Sequence, residues 1–286
     1  MLRNLVLLLA FGLLALAANQ KRNQPFPPYH IIGNIYSVGA NDITAFLITT
    51  PAGDIIINSG YEETVPIIRS GVEKLGFRMR DVKILLASHA HNDHVAGLAM
   101  LQSLTGAKVM IMEPDAGIVS TGGKGDFLWE GIYSWKPCRV DRLLHDGDEV
   151  RLGGTTLTAH LTPGHTKGNT TWTMQVEDGG TKYNVVIVGS TSINPGVHLV
   201  NNPKYPNIAE DYARSFRMLR ALPCDVFLGA HASFYDGVGK YRRLQAGAKT
   251  NPFIDPAGYT NYLDQTEKIY REQLAQERAQ AAQAAH

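Results

Sequence analysis

Short apolar runs alternate with amphipathic stretches along most of the chain. Runs typical of β-strands cover residues 30–38, 44–49, 54–58, 82–87, 108–112, 155–161, 170–175, 184–188 and 225–228. Apolar positions at helical spacing cover residues 62–75, 95–104, 210–222 and 264 to the end, and Gly76 and Gly106 follow two of these stretches as stop signals. The turn Pro51-Ala52-Gly53 predicts a hairpin. Residues 113–154 are rich in glycine, so irregular structure is expected there.

The alternation of strands and helices occurs in two similar halves, residues 30–112 and 145–235. Each strand or helix of this kind has an apolar face that must be buried against another layer. The pattern therefore predicts an α/β fold, an αββα sandwich of two packed mixed sheets with helices on the outer faces. We expect one domain over residues 30–265, preceded by a polar, proline-rich lead-in over 19–29 and followed by a C-terminal helix and tail over 266–286.

The N-terminus has the features of an export signal. Arg3 supplies a positive charge, residues 5–16 form an apolar run broken only by Gly12, and Ala15-Leu16-Ala17 offers small residues to a signal peptidase. We expect residues 1–18 to be a cleaved signal peptide and the mature protein to be periplasmic and free of the membrane. The alternative is a retained anchor helix, which the short length of the run disfavours.

Composition narrows the class of partner. The formal net charge of +1 and the lack of a basic stripe argue against a nucleic-acid partner, so a small-molecule substrate is expected. The two cysteines, Cys138 and Cys224, either pair in an oxidising compartment or stay as inert thiols. A monomer is the expected oligomeric state.

A cluster of histidines directly follows the apolar run 82–87. His89, His91, Asp93 and His94 offer imidazole nitrogens and a carboxylate, which are ligands that zinc accepts. Without a metal they would make a poor core, since each buried polar group needs a partner. At a strand end His89 and His91 alternate onto one side, whereas Asp93 and His94 can aim at a neighbouring point. The spacing favours two metal sites over the alternative of a polar surface turn.

Further ligand candidates follow two later strands. His165 lies on a Pro-Gly turn after the run 155–161, and His231 lies just after the run 225–228. Together with the first cluster, these histidines resemble the pattern of the metallo-β-lactamase superfamily, over nearly the whole chain from about residue 30 to residue 253. The resemblance implies two Zn²⁺ ions per chain, one bound by His89, His91 and His165 and the other by Asp93, His94 and His231.

The stretch Gly189-Ser190-Thr191 points to one branch of that superfamily. Hydrolases of the glyoxalase II type have an aspartate at the Ser190 position that bridges both metals, and other lactamase subclasses have a cysteine there. Serine at this position, with Asp93-His94 completing the second site, resembles subclass B3. The resemblance implies that Ser190 and Ser192 hold the substrate carboxylate, although both can also satisfy the backbone of their loop. Val197 stands where some members have a tyrosine facing the reacting carbonyl.

The implied activity is zinc-dependent hydrolysis of the β-lactam amide bond of carbapenems, penicillins and cephalosporins, which confers antibiotic resistance. Two zinc ions would activate a water molecule, and Asp93 would orient it as the catalytic residue, without a covalent intermediate on the protein. The open alternatives are a lactonase or thioesterase on the same fold, an iron-dependent oxygenase of the persulfide dioxygenase type, and a non-catalytic binding protein.

Other chemically conspicuous residues have simpler interpretations. The run Phe127-Leu128-Trp129 is either a hydrophobic flap over the pocket or ordinary packing, and packing is the preferred interpretation. The histidines that match no ligand position are interpreted as core, surface or loop residues: His30, His145, His160, His198 and His286.

Overall fold

The computed structural model describes residues 21–284. The expected signal peptide, residues 1–18, lies outside the described residues, as does His286. Within residues 21–284, none of the helices is long and apolar enough to cross a membrane.

The first half of the chain forms a seven-stranded mixed sheet. Its strands, in spatial and chain order, are β1 (Tyr29–Ile32), β2 (Ile35–Ser37), β3 (Phe46–Thr50), β4 (Gly53–Ile57), β5 (Val82–Leu86), β6 (Lys108–Met112) and β7 (Arg142–Leu144). The first four strands pair in antiparallel fashion, and β4 to β7 pair in parallel. The hairpin predicted at Pro51-Ala52-Gly53 joins β3 to β4.

The second half forms a five-stranded sheet. Its strands, again in spatial order, are β8 (Glu149–Leu152), β9 (Thr155–Leu161), β10 (Thr170–Asp178), β11 (Thr181–Val188) and β12 (Val226–Gly229). β8 to β11 pair in antiparallel fashion and β12 joins β11 in parallel. β9, β11 and β12 therefore run in the same direction, and the loops that follow them leave the same edge of the sheet.

The helices lie outside the two sheets. They are α1 (Val65–Lys74), α2 (Asn92–Val95), α3 (Leu98–Thr105), α4 (Glu113–Thr121), α5 (Ile208–Ala221), α6 (Gly237–Gln245) and α7 (Pro256–Ala284). α1, α3 and α4 pack on the first sheet, whereas α5 and α7 pack on the second. The αββα sandwich predicted from the sequence is confirmed.

Alternation along the central strands supplies two hydrophobic cores. In β4, Ile55 and Ile57 join the core between the sheets, whereas Ile56 joins the core under the helices. Successive side chains of a strand point to opposite faces, so a strand that is buried on both faces reads as a continuous apolar run. This is why positions 55–57 are all isoleucine.

Some elements differ from the sequence-based expectation. The run 30–38 is split into β1 and β2 by a turn at Gly33, which has a φ of 54°. Residues 113–154 contain α4, β7 and β8, which the density of glycines in that segment hides. α6 is missing from the prediction because Gly237 and Gly239 weaken its helical pattern. The last helix begins at Pro256, a residue favoured in a first helical turn, and extends to Ala284.

The cysteines do not pair. Cys138 and Cys224 are both free, and Cys138 is buried. Of the two alternatives that the sequence leaves open, the structure therefore supports free thiols. Burial raises the pKa of the Cys138 thiol to about 11, which keeps it protonated at neutral pH and poorly reactive.

The side chain of Trp172, on β10, forms a hydrogen bond between the second sheet and the first. Its indole N–H donates to the carbonyl of Ala87, 3.1 Å away at the end of β5. We expect Trp172→Phe to lower the free energy of unfolding by about 1–3 kcal/mol, because it leaves a buried acceptor without its donor. Unfolding in urea, followed by circular dichroism, measures the loss.

Trp135→Phe is the matched control for Trp172→Phe. Within the described part of the chain, the buried indole nitrogen of Trp135 has no hydrogen-bond partner, so its removal breaks no such bond. Equal losses of stability in the two variants would show that the hydrogen bond to Ala87 is not what Trp172 contributes.

Candidate metal centre

The ligand candidates predicted from the sequence lie on loops and on the short helix α2, at one end of the sandwich. The loop after β5 carries His89 and His91, and α2 follows it with Asp93 and His94. The loops after β9 and β12 carry His165 and His231. Parallel strand direction thus brings together residues that are far apart in the chain.

His89, His91 and His165 form the first group. Their potential ligand atoms lie within 4.8 Å of one another, and all three side chains are buried. Nδ1 of His165 donates to the carbonyl of Ser192 at 2.7 Å, which leaves Nε2 free to accept or to bind a metal. Nε2 of His89 is buried without a hydrogen-bond partner among residues 21–284. A metal ion would satisfy such a nitrogen, which is costly to bury unpaired.

Asp93, His94 and His231 form the second group. Nε2 of His94 lies 3.2 Å from Nε2 of His231 and 3.5 Å from Oδ2 of Asp93, and Nε2 of His231 lies 3.6 Å from the same oxygen. Ligands about 2.0–2.1 Å from a tetrahedral zinc ion are about 3.4 Å apart. The three atoms therefore already have the mutual spacing of zinc ligands. His89 also lies within 4.8 Å of Asp93 and His94, so the two groups are contiguous.

Electrostatics in the cluster favours the metal-binding protonation states. Burial chiefly lowers the pKa of His91 to about 4 and the pKa values of His94 and His165 to about 3, and neighbouring imidazoles contribute. Burial of Asp93 would raise its pKa, but His94 and His231 hold that pKa well below its usual range. Neutral imidazoles and an ionised carboxylate are the forms that bind a cation.

Arg22 and Asp42 form an ion pair beside the Nδ1 atom of His231. Nδ1 of His231 lies 2.8 Å from Nη2 of Arg22 and 3.4 Å from Oδ2 of Asp42. Asp42 also accepts from Nε of Arg22 at 2.7 Å and from the backbone N–H of Ser233 at 2.9 Å. Burial opposes the ionisation of Asp42, but His231 and Arg22 hold its pKa far below the usual range. Since the Arg22 guanidinium can only donate, Nδ1 of His231 accepts from it in this arrangement. When Nε2 binds a metal, Nδ1 carries the proton instead and donates to the ionised Asp42.

Asp115, on α4, holds two ligand loops together. Its Oδ2 accepts from the backbone N–H of Ala90 at 2.8 Å and from the hydroxyl of Thr166 at 2.7 Å. Its Oδ1 accepts from the backbone N–H of Gly168 at 2.7 Å. One buried carboxylate therefore fixes the loop of His89 and His91 relative to the loop of His165. Burial raises the pKa of Asp115 to about 6 despite these three hydrogen bonds.

Local sequence explains how two of the ligand loops begin. Gly164 precedes His165 with a φ of 135°, and a Cβ there would lie 2.7 Å from the ring of Tyr212, so the turn requires glycine. The side chain of Asn58 accepts from the backbone N–H of Ser88 at 2.8 Å, at the start of the histidine loop.

A cleft of about 350 Å³ opens onto both groups. Every ligand candidate except the fully buried His94 lines it. Its other walls include Arg22, Tyr61, Trp129, Tyr133, Ser192, Asn194 and Phe234. Ser190 is only 3% exposed, and its hydroxyl lies 2.9 Å from that of Ser192. Of the two serines predicted to hold a substrate carboxylate, only Ser192 lines this cleft.

Both interpretations of the run Phe127-Leu128-Trp129, packing and a hydrophobic flap, apply to different residues of it. Phe127 and Leu128 pack against the core between the sheets, as the packing interpretation expects. Trp129 instead lines the cleft. Of the histidines outside the ligand set, His30 and His160 bond to Gly33 and Thr173 respectively, and His145 and His198 are exposed.

Sequence reasoning missed the carboxylates that support the ligands. Asp42 and Asp115 are single acids with no motif around them, and their partners are far along the chain. Asp126 directly follows the glycine-rich segment 122–125 and is 2% exposed. The position of an acid directly after a glycine-rich turn is visible in the sequence and could have marked this residue, whereas its burial is not visible there. Arg22 lies in the segment that the sequence suggests is only a lead-in.

A model of the metallo-β-lactamase superfamily matches residues 38–231. The chain belongs to this superfamily. The native FEZ-1 metallo-β-lactamase of Legionella gormanii is 48% identical, with a TM-score of 0.88, over 90% of this chain and 98% of that one. A class B3 di-zinc metallo-β-lactamase from an Alaskan soil metagenome is 36% identical, with a TM-score of 0.83, over 88% and 95%. These neighbours confirm the fold and the resemblance to subclass B3.

Curated relatives point to a different hydrolase of the superfamily. The hydroxyacylglutathione hydrolase of Pseudomonas putida is 36% identical over 85 residues, which are 30% of this chain and 25% of that protein. That of Rhodopseudomonas palustris (strain BisB5) is 26% identical over 184 residues, or 64% of this chain and 60% of that protein. The matches thus span a quarter to three fifths of these relatives. The chain is a hydrolase of the metallo-β-lactamase superfamily, and its histidine cluster fits a metal-dependent enzyme.

Asp115→Asn tests the support of the two ligand loops. The amide replaces one accepting oxygen with a donor that faces other donors. We expect zinc affinity to fall by about 10–100-fold, as is usual when an outer partner of a metal site is lost. Competition with a chromophoric chelator measures the affinity.

Glu113→Gln, an exposed carboxylate on the same helix, is the control for Asp115→Asn and should keep the wild-type affinity. An unchanged affinity in Asp115→Asn would mean that the two loops hold their positions without Asp115.

Proposed function

We propose that the protein hydrolyses the β-lactam amide bond of carbapenems, penicillins and cephalosporins with two zinc ions per chain. The observation that carries the proposal is the second group, in which Asp93, His94 and His231 have ligand atoms 3.2–3.6 Å apart. This group completes a second metal site with no contribution from position 190, where Ser190 is buried. The 48% identity to the Legionella gormanii enzyme over almost its whole length supports the same substrate class.

His89, His91 and His165 would hold one zinc ion and Asp93, His94 and His231 the other, and bound zinc would lower the pKa of a water molecule and polarise the lactam carbonyl. Asp93 stays ionised beside both groups, so its carboxylate can orient that water through a hydrogen bond. Burial, with the charge of Asp93, raises the pKa of Tyr61, which keeps its hydroxyl protonated as a donor on the cleft wall. Trp129 and Phe234 line the same cleft and give it aromatic walls.

The anionic part of a β-lactam has suitable partners in the cleft. Arg22 is a cation on its wall, and Ser192 and Asn194 offer neutral hydrogen-bond donors. The hydroxyl of Ser192 also lies 3.4 Å from Nδ1 of His165, so it is close to the first metal group. We assign Ser192 to direct contact with the substrate carboxylate and Ser190 to support of Ser192.

Thioester hydrolysis is the second candidate function, because the curated relatives include hydroxyacylglutathione hydrolases. The serine at position 190 disfavours it, since it cannot supply a carboxylate that bridges two metals. Export to the periplasm is part of the proposal and rests on the signal expected over residues 1–18. A monomeric state and a role in antibiotic resistance are proposed with it.

The proposed activity is tested with the protein lacking residues 1–18. We expect zinc-dependent opening of a carbapenem and a penicillin, loss of both activities with a chelator, and recovery when zinc is returned. His91→Ala should lose zinc and activity together, whereas His145→Ala, an exposed histidine outside the site, should keep both. Absorbance of the lactam ring follows the reaction. Turnover of a hydroxyacylglutathione thioester without turnover of either lactam would support the second candidate instead.

The two serines are distinguished by their kinetics. Ser192→Ala should raise KM for a carboxylate-bearing lactam by roughly 10–150-fold, the value of one hydrogen bond to a charged group. Ser190→Ala should raise it less, because Ser190 does not line the cleft. Steady-state kinetics of both variants provide the comparison. A larger effect at Ser190 would contradict the assigned roles.

A further inference from the structure

A buried nitrogen of His91 and a buried oxygen of Asp126 face each other without forming a hydrogen bond. Nε2 of His91 lies 3.7 Å from Oδ2 of Asp126, and the two side chains are 6% and 2% exposed. Within residues 21–284 neither atom has a hydrogen-bond partner. Buried polar atoms of this kind are normally paired, so the facing positions of these two indicate a bond that forms in another state of the site.

The other oxygen of Asp126 organises the flap, which we define as residues 122–137. Oδ1 accepts from the backbone N–H groups of Leu128 at 2.8 Å and Trp129 at 2.5 Å. These bonds set the turn that places Trp129 on the cleft, where its ring lies 6.5 Å from the ring of His91. The carboxylate therefore has one side on the flap and the other toward a ligand candidate.

Metal binding would provide the missing bond. Because Nε2 of His91 faces Asp126, Nδ1 is the nitrogen left for a metal, and an imidazole that binds through Nδ1 carries its proton on Nε2. That N–H would then donate to Oδ2, and a carboxylate in this position commonly orients a metal-binding histidine.

We propose that Asp126 is a positioning residue that couples the flap to the metal centre, so that binding of a metal by His91 fixes Trp129 over the cleft. The proposal rests on the metal site of the proposed function, but it does not depend on the substrate being a β-lactam. This coupling explains why Asp126 accepts hydrogen bonds from the flap with Oδ1 and faces His91 with Oδ2.

Asp126→Asn separates the two roles of the carboxylate. The amide oxygen can still accept from Leu128 and Trp129, but its NH₂ group would meet the N–H of His91, and two donors cannot bond. Glu130→Gln is the matched control, because Glu130 lies in the same flap and accepts from the backbone N–H of Gly125 at 3.1 Å. It loses the same charge and keeps an acceptor for its bond.

The readout is the rate of tryptic cleavage after Lys124, an exposed residue of the flap. It is measured with excess zinc and with a chelator, and zinc content is determined alongside. Zinc should slow cleavage roughly 10-fold in the wild type and in Glu130→Gln, because cleavage follows the population of the open flap and one charged hydrogen bond closes it. In Asp126→Asn at full zinc occupancy, the protection should fall below about 2-fold.

Equal protection by zinc in Asp126→Asn and the wild type would overturn the proposal, as would a wild-type flap that zinc does not protect. Failure of the wild type to bind zinc would overturn the metal site and this proposal with it. Zinc-dependent protection that is lost in Asp126→Asn, in a protein that opens no lactam, would support the coupling and contradict only the proposed substrate. If circular dichroism shows that Asp126→Asn does not fold, Asp126→Ser, which keeps an acceptor for the turn and none for His91, is measured instead.

Discussion

The architecture of this protein is organised around one constraint: several imidazoles and a carboxylate must be buried together without neutralising the carboxylate or protonating the imidazoles. In an apolar interior such a cluster is unfavourable, since every member needs a hydrogen bond or a cation. Here burial chiefly lowers the pKa values of His91 and His94, and neighbouring imidazoles lower them further against the opposing effect of the Asp93 carboxylate. Nε2 of His89 is buried without a hydrogen-bond partner among residues 21–284, and it is a nitrogen that a metal ion would satisfy.

The cluster holds its geometry because buried carboxylates from separate elements brace it. Asp42 lies behind His231, and Asp115 links the loop of His91 to the loop of His165. Neither carboxylate lines the cleft, yet each restricts where a ligand loop can go. A site braced in this way is set by packing and hydrogen bonds that already exist in the folded chain, so little reorganisation is needed when a metal binds.

The ligand candidates could be found from the sequence because each follows a recognisable strand. His89, His165 and His231 stand just beyond apolar runs, and strand direction alone then brings them to one edge. The bracing residues could not be found in this way, because their roles exist only in three dimensions. Asp115, for example, is 53 positions before Gly168, whose amide it binds, and no periodic pattern links them. The layers of the fold were predictable from the alternation of apolar runs, whereas α6 was hidden by its glycines.

Both metal groups draw their members from loops of different sheets. His89 and His91 follow a strand of the first sheet and His165 a strand of the second, and the same division separates Asp93 and His94 from His231. Neither half of the chain therefore contains a complete set of donors for either ion. The two similar halves are therefore not independent modules, because each metal group is complete only where the halves meet. A break or rearrangement of the chain that lets the halves separate would abolish both metal groups at once.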